Sequence, residues 1–206
     1  LRQDILAMGE QVAIAIDGAV NSLKTQDIEL ARKVIDGDDA IDNAEVVIED
    51  KCMLLIAKQQ PLARDLRIVS TGLKIATDLE RIGDHAYEIA QVTLKLSTQP
   101  LLKPLIDIPR MAGMAQQMLH DSLDAYTRID TPLADRVCAL GAEVEQLHQQ
   151  VFRELLTYMM EDPRTISQAT LLIFVSRYLD RIAAHATNIA EWVIFLETGQ
   201  RIRKES

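Results

Sequence analysis

Two stretches of this sequence concentrate carboxylates at spacings that could do chemistry. One carries Asp38, Asp39, Asp42, Glu45 and Glu49; the other carries Asp78, Glu80, Asp84 and Glu88. Residues four apart share a helix face, and like charges at that spacing repel by a few tenths of a kcal/mol. Solvent, arginines or a cation must therefore offset these rows. If the two stretches are helices joined by a turn near Pro61, antiparallel pairing sets Asp42 beside Glu80 and Asp38 beside Asp84, with Glu45 close by. Four carboxylates at one level suit hard cations such as Mg²⁺, Ca²⁺ or Mn²⁺, and iron also accepts them. His85 could add a ligand, although its position turns it about 100° away from Asp84.

The second stretch recurs. "DLERIGDHAYEIAQ" at 78–91 returns as "YLDRIAAHATNIAE" at 178–191, with seven identities in fourteen positions. A turn near Asp162 would bring Glu145 to Asp180, the counterpart of Glu80, with His148 in the place of Glu45. Ala184 stands where Asp84 stood, and Gly141 where Asp38 stood. A second cation site built from Glu145, His148 and Asp180 is expected to be weaker than the first. Arg81 and Arg181 recur in both copies and can pair with the acids or with a docking partner. Acidic helix faces also occur simply as solvated surfaces, and Asp38 or Asp39 could serve only as a helix cap.

Other constellations carry less. Glu145-xx-His148 is an ExxH, but ferritin-like di-iron bundles need two such motifs and two more glutamates on four helices. Cys52 and Cys138 lie in no zinc spacing and have no evident His/Asp partnership for nucleophilic chemistry; two isolated cysteines on apolar stretches read as reduced core thiols in a cytoplasmic setting. Met111, Met114 and Met118 form a stripe of core or dimer-surface type. No Gly-rich phosphate loop is present, and neither "DGD" nor "RIGDH" is a phosphate cradle.

Helices must position these residues. With 206 residues, 48% hydrophobic, 4% aromatic, 8 Gly and 6 Pro, the chain favours helix over strand. Period-3.6 patterning predicts a helix over 2–23, then one capped by Thr25 that "DGDD" at 36–39 interrupts. A fresh start at Asp38 or Asp39 would run to about Gln59. Pro61 opens a helix reaching about Ser97, and "STQPLLKP" at 97–104 reads as a linker. Helices follow over about 108–129, from a Thr131 cap with Pro132 at the first position to about Met160, and from Asp162-Pro163 to 198. The fold class is all-α: two tandem, sequence-related three-helix bundles, residues 1–99 and 100–206. Periodicity leaves open whether they abut as two bundles or merge into one six-helix body.

A net charge of −9 without a Lys/Arg run lacks the electrostatic footprint of a nucleic-acid binder and disfavours anionic membranes. No apolar run is long enough for a transmembrane helix, and the first residues lack a signal-peptide pattern. The chain opens in helical phase without Met, so residues upstream are expected.

These residues carry a resemblance. "IAKQQPLARDLRIVSTGLKIATDLERIGDHAYEIA" at 56–90 resembles the signature helix of the PhoU phosphate-regulatory family, and 157–199 resembles its second copy. "MGEQVAIAIDGAV" and "VIDGDDAIDNAEVVIEDKCM" fit the family's opening helices. The resemblance implies a cytoplasmic, non-enzymatic negative regulator of phosphate uptake and phosphate-starvation signalling. It implies an adaptor between the ATPase subunit of the phosphate ABC transporter and a sensor histidine kinase, peripheral to the inner membrane and commonly a homodimer. It also implies divalent or iron-type metal ions on E(D)xxxD motifs. Glu80-xxx-Asp84 matches intact; Asp180-xxx-Ala184 departs, which weighs against a second cluster. A carboxylate-bridged metal-binding or storage bundle is the alternative.

Overall fold

A computed structural model describes residues 1–201, and among them the secondary structure is helical throughout. Helix α1 spans Arg2–Thr25, α2 Ile28–Gln59 and α3 Arg64–Leu96. After a linker come α4 at Asp107–Arg128, α5 at Thr131–Glu161 and, behind a 3₁₀ turn at Pro163–Thr165, α6 at Ile166–Thr198.

The apolar stripes produce this arrangement. In α3, Leu79, Ile82, Ala86, Ile89 and Ala90 are buried, and so are their repeats Leu179, Ile182, Ala186, Ile189 and Ala190 in α6. Met111 and Met118 lie in the core, with Met114 packed against it. The two repeats merge into one body with a continuous core. Helices α1, α3, α6 and α4 pack in a ring, while α2 touches only α1 and α3. Helix α5 lies on α4 and α6 at the other flank. Helices α3 and α6 run antiparallel: Arg64 reaches Glu197 at 3.1 Å, and Asp78 meets Trp192, more than a hundred residues on, at 3.2 Å.

Three local expectations are corrected. Helix α2 is unbroken for 32 residues, so "DGDD" does not interrupt it and neither Asp38 nor Asp39 caps. Gly37 faces open space; its penalty of about 1 kcal/mol is outweighed by the burial of Ala31, Ile41, Ile48 and Cys52 on the other side. The N-cap of α2 is Asp27, whose carboxylate accepts from Leu30 N at 3.0 Å, not Thr25, whose hydroxyl donates back to Asn21 O. Likewise Asp130 caps α5, accepting from Leu133 N at 3.0 Å, which places Thr131 inside the helix. In each case an aspartate outcompetes a nearby threonine, as the shorter, charged acceptor suits the exposed N–H groups and the helix dipole.

Candidate functional site

The α2/α3 hairpin builds the acidic cleft. Gln60 and Ala63, both at positive φ, turn the chain around Pro61 so that α3 returns beside α2. Gly83 lets the two approach: a Cβ there would lie 3.1 Å from Ile41 Cγ2 and 3.2 Å from its Cδ1. This contact sets the register, and Asp38, Asp42 and Asp84 converge with carboxylate oxygens all within 4.8 Å of one another. Glu80 lies behind them, its side chain 16% exposed. Glu45 joins at the edge, half-buried.

The electrostatics show that the protein itself leaves this cluster under-neutralised. Burial raises the Glu80 carboxyl to about 7, and repulsion from Asp84, Glu45 and Asp42 adds to it against the pull of Arg81. Burial, then Asp42, Asp84 and Asp39, raises Asp38 to about 6. Arg81 donates to Asp84 Oδ2 at 2.9 Å and sets Nε 3.3 Å from Glu80 Oε2. The second contact is charge proximity only, because Glu80 Oε2 is buried and accepts no hydrogen bond.

An all-oxygen donor set, mutual repulsion and a buried orphan oxygen together fit a hard cation. Asp38, Asp42 and Asp84 would hold it, with Glu80 behind and Glu45 beside them. His85 is not among them. It faces α6, stacked 5.8 Å from Tyr178 and 5.7 Å from His185, and its burial beside His185 and Arg181 pulls its pKa down to about 4.

The corresponding cleft between α5 and α6 has different chemistry. Glu145 and Asp180 border a cavity of about 500 Å³ with Gly141, Arg177, Arg181 and Ala184. Arg177 donates to Asp180 Oδ2 at 2.7 Å, and among the described residues no three carboxylate or imidazole groups gather here as they do at Asp38, Asp42 and Asp84. His148 is buried, with Nδ1 2.9 Å from Ser176 Oγ, and burial lowers its pKa. These residues do not fit a cation cluster. Arg181, expected to pair with acids, is exposed and lies in this cleft near His85.

One residue that matters here went unnoticed in the sequence and another was placed on the wrong face. Arg177 replaces Thr77 of the first copy, a charge gained next to the acids lost at Ala184 and Gly141; the repeat alignment contained that signal. Asp78 was grouped with the acidic row, yet it turns the other way. It accepts from His185 Nδ1 at 2.9 Å, Asn188 at 3.0 Å and Trp192 at 3.2 Å, so it ties α3 to α6.

A model of the PhoU domain matches twice, over residues 5–93 and 108–193. A phosphate-specific transport system accessory protein PhoU homolog from Aquifex aeolicus is 42% identical over 204 residues, covering 99% of this chain and 92% of that protein. The phosphate-specific transport system accessory protein PhoU of Escherichia coli is 36% identical over 203 residues, covering 98% and 84%. The crystal structure of PhoU from Pseudomonas aeruginosa superposes with a TM-score of 0.94 at 38% identity, covering 97% of this chain and 96% of that one. The phosphate transport system regulatory protein PhoU from Streptococcus pneumoniae gives 0.91 at 29%, covering 98% and 95%.

Proposed function

The chain belongs to the PhoU family, and we propose that it is a phosphate-transport accessory protein acting as a non-enzymatic negative regulator of phosphate uptake and of phosphate-starvation signalling. It bridges the ATPase subunit of the phosphate ABC transporter and the sensor histidine kinase. Full-length relatives named as phosphate-specific transport accessory proteins support the transport role. No helix among the described residues is long and apolar enough to cross a membrane; the protein reaches the inner membrane from the cytoplasm through its partners, as a homodimer.

The observation that carries the docking part of this reading is the acidic cleft, with three carboxylates within 4.8 Å and an orphan Glu80 oxygen behind them. Such a focused negative potential suits a basic surface on a partner. A divalent or iron-type cation held by Asp38, Asp42 and Asp84 would supply the positive charge that joins α2 to α3 and would set how much of that potential remains.

The test is a chromosomal Glu80→Ala, Asp84→Ala double variant. Repression of a phosphate-starvation reporter should be lost in high phosphate, and co-purification with the kinase should fall at least about tenfold. Unchanged repression and unchanged kinase binding would remove the cleft from the mechanism.

A further inference from the structure

The outward face of α2 is a second surface, adjoining the acidic cleft along Asp42. Val46, Val47, Met53 and Leu54 are each more than half exposed. At 100° per residue they fall on one stripe, opposite the buried stripe of Ala31, Ile41, Ile48 and Cys52. Helix α2 packs only on α1 and α3, so the tertiary structure covers none of it.

The fold does not require this stripe to be apolar, because the molecule holds its own comparison. Helix α5 occupies the equivalent flank, and the positions of Val46, Val47 and Leu54 are there Gln149, Gln150 and Thr157. Met53 keeps an apolar equivalent, Leu156, and the exposed apolar side chains of α5 at Phe152, Leu156 and Met160 form a row turned by about 60° that overlaps the α2 stripe only along one side. Two sequence-related helices with the same packing duty thus differ at the solvent face.

The charges around the stripe select what can cover it. Asp42 and Glu49 are exposed along one edge and Asp50 lies within it. A second copy packed about a two-fold axis through the stripe would set Asp50 against Asp50 at the centre of the interface, with its neighbour Lys51 already held by Asp4 and Lys58 out at the rim. An anionic lipid surface meets the same acidic edge. An amphipathic helix with Lys or Arg beside its apolar stripe satisfies both features, its apolar row lying on Val46, Val47, Met53 and Leu54 and its cations meeting Glu49 and Asp50. We infer that the outer face of α2 docks a basic amphipathic helix of a protein partner. This goes beyond the acidic cleft and needs no cation in it.

The probe is a fluorescein-labelled Leu/Lys amphipathic peptide of about 18 residues, long enough to cross the stripe, with a Leu/Glu peptide of the same pattern as control. Binding is followed by anisotropy on the full chain. Val47→Glu with Leu54→Glu adds negative charge, which would strengthen any purely electrostatic attachment. We expect it to weaken the Leu/Lys peptide at least tenfold (about 1.4 kcal/mol), whereas Gln150→Glu with Thr157→Glu on α5 leaves affinity unchanged. Both pairs are at the surface, and circular dichroism melts should match the parent. Equal binding of the Leu/Glu peptide, or undiminished Leu/Lys binding by the α2 variant, overturns the inference. So does a light-scattering mass that drops only in the α2 variant, which would make a second copy the occupant, or flotation with phosphatidylglycerol vesicles lost only in that variant. Failure of the cleft variant Glu80→Ala, Asp84→Ala to affect repression would leave these outcomes untouched.

Discussion

Arg177 stands on Asp180, Nη1 to Oδ2 at 2.7 Å, in the cleft that repeats the meeting of α2 and α3. In the first repeat position 77 is threonine, and the acids there face one another with only Arg81 at their rim. Each cleft holds one arginine on an acid, but only the first gathers three carboxylates within 4.8 Å of one another, so a single guanidinium offsets the second cleft and not the first.

Cation titration should therefore find one class of tight site. Asp42→Ala with Asp84→Ala is expected to weaken Mn²⁺ binding by about tenfold or more, and Asp180→Ala to leave it nearly unchanged. Calorimetry on chelator-treated protein measures both. A triple variant, Gly141→Asp, Arg177→Thr, Ala184→Asp, should add a second site; equal losses from the two single-cleft variants would refute the asymmetry.

The cation-free protein should lose stability as pH rises. Glu80 is raised from 4.5 to about 7 in the fold, so the folded state holds its proton more tightly than the unfolded one. That contribution is complete below about pH 4.5 and disappears as pH passes about 7. It amounts to at most about 3 kcal/mol, less where solvent screens the cleft. Thermal melts in chelator between about pH 5 and 8 should fall with a slope that Glu80→Gln flattens. Added Mn²⁺ should recover the loss at the alkaline end.

His85 acts in the opposite sense. Its pKa is lowered to about 4, so the neutral ring is favoured in the fold. This stability is present above the unfolded value near 6.5 and lost as pH falls through about 4. Melts extended down to about pH 3.5 should show an acid limb that shallows in His85→Gln, and an unchanged limb would assign it to other groups.

Asp78→Ala should cost about 2–4 kcal/mol, because it strands three donors from α6 at a site with little solvent. Asp78→Asn retains acceptors and should cost less. Denaturant midpoints with an unchanged m value would place the loss in native-state stability.

Gly83→Ala should destabilise by about 1–2 kcal/mol, since its Cβ would crowd Ile41 at 3.1 Å. Ile41→Val should recover part of that loss in the double variant, a non-additivity that a coupled contact requires.

Much of this was legible in the chain. The six helices followed from period-3.6 patterning, and the meeting of Asp38 with Asp84 followed from one turn position, because an antiparallel hairpin has a single register once its turn is set. The caps were misread at Thr25 and Thr131 since aspartates stood close by at Asp27 and Asp130, and only the chain's path selects which side chain reaches the free N–H groups. Gly37 was read as a break because local propensity was weighed without the burial on the far side of α2.

By itself the sequence determined the helices, the duplicated plan and the carboxylates that share a face, since these depend on spacing along one chain and one turn. The tertiary structure alone decided that both repeats share a core, that Asp78 of α3 bonds to α6 rather than joining the acidic cleft, and that Arg177 lines the second cleft. Neighbouring residues on a helix point about 100° apart, so which of them meets a partner depends on packing between elements more than a hundred residues apart.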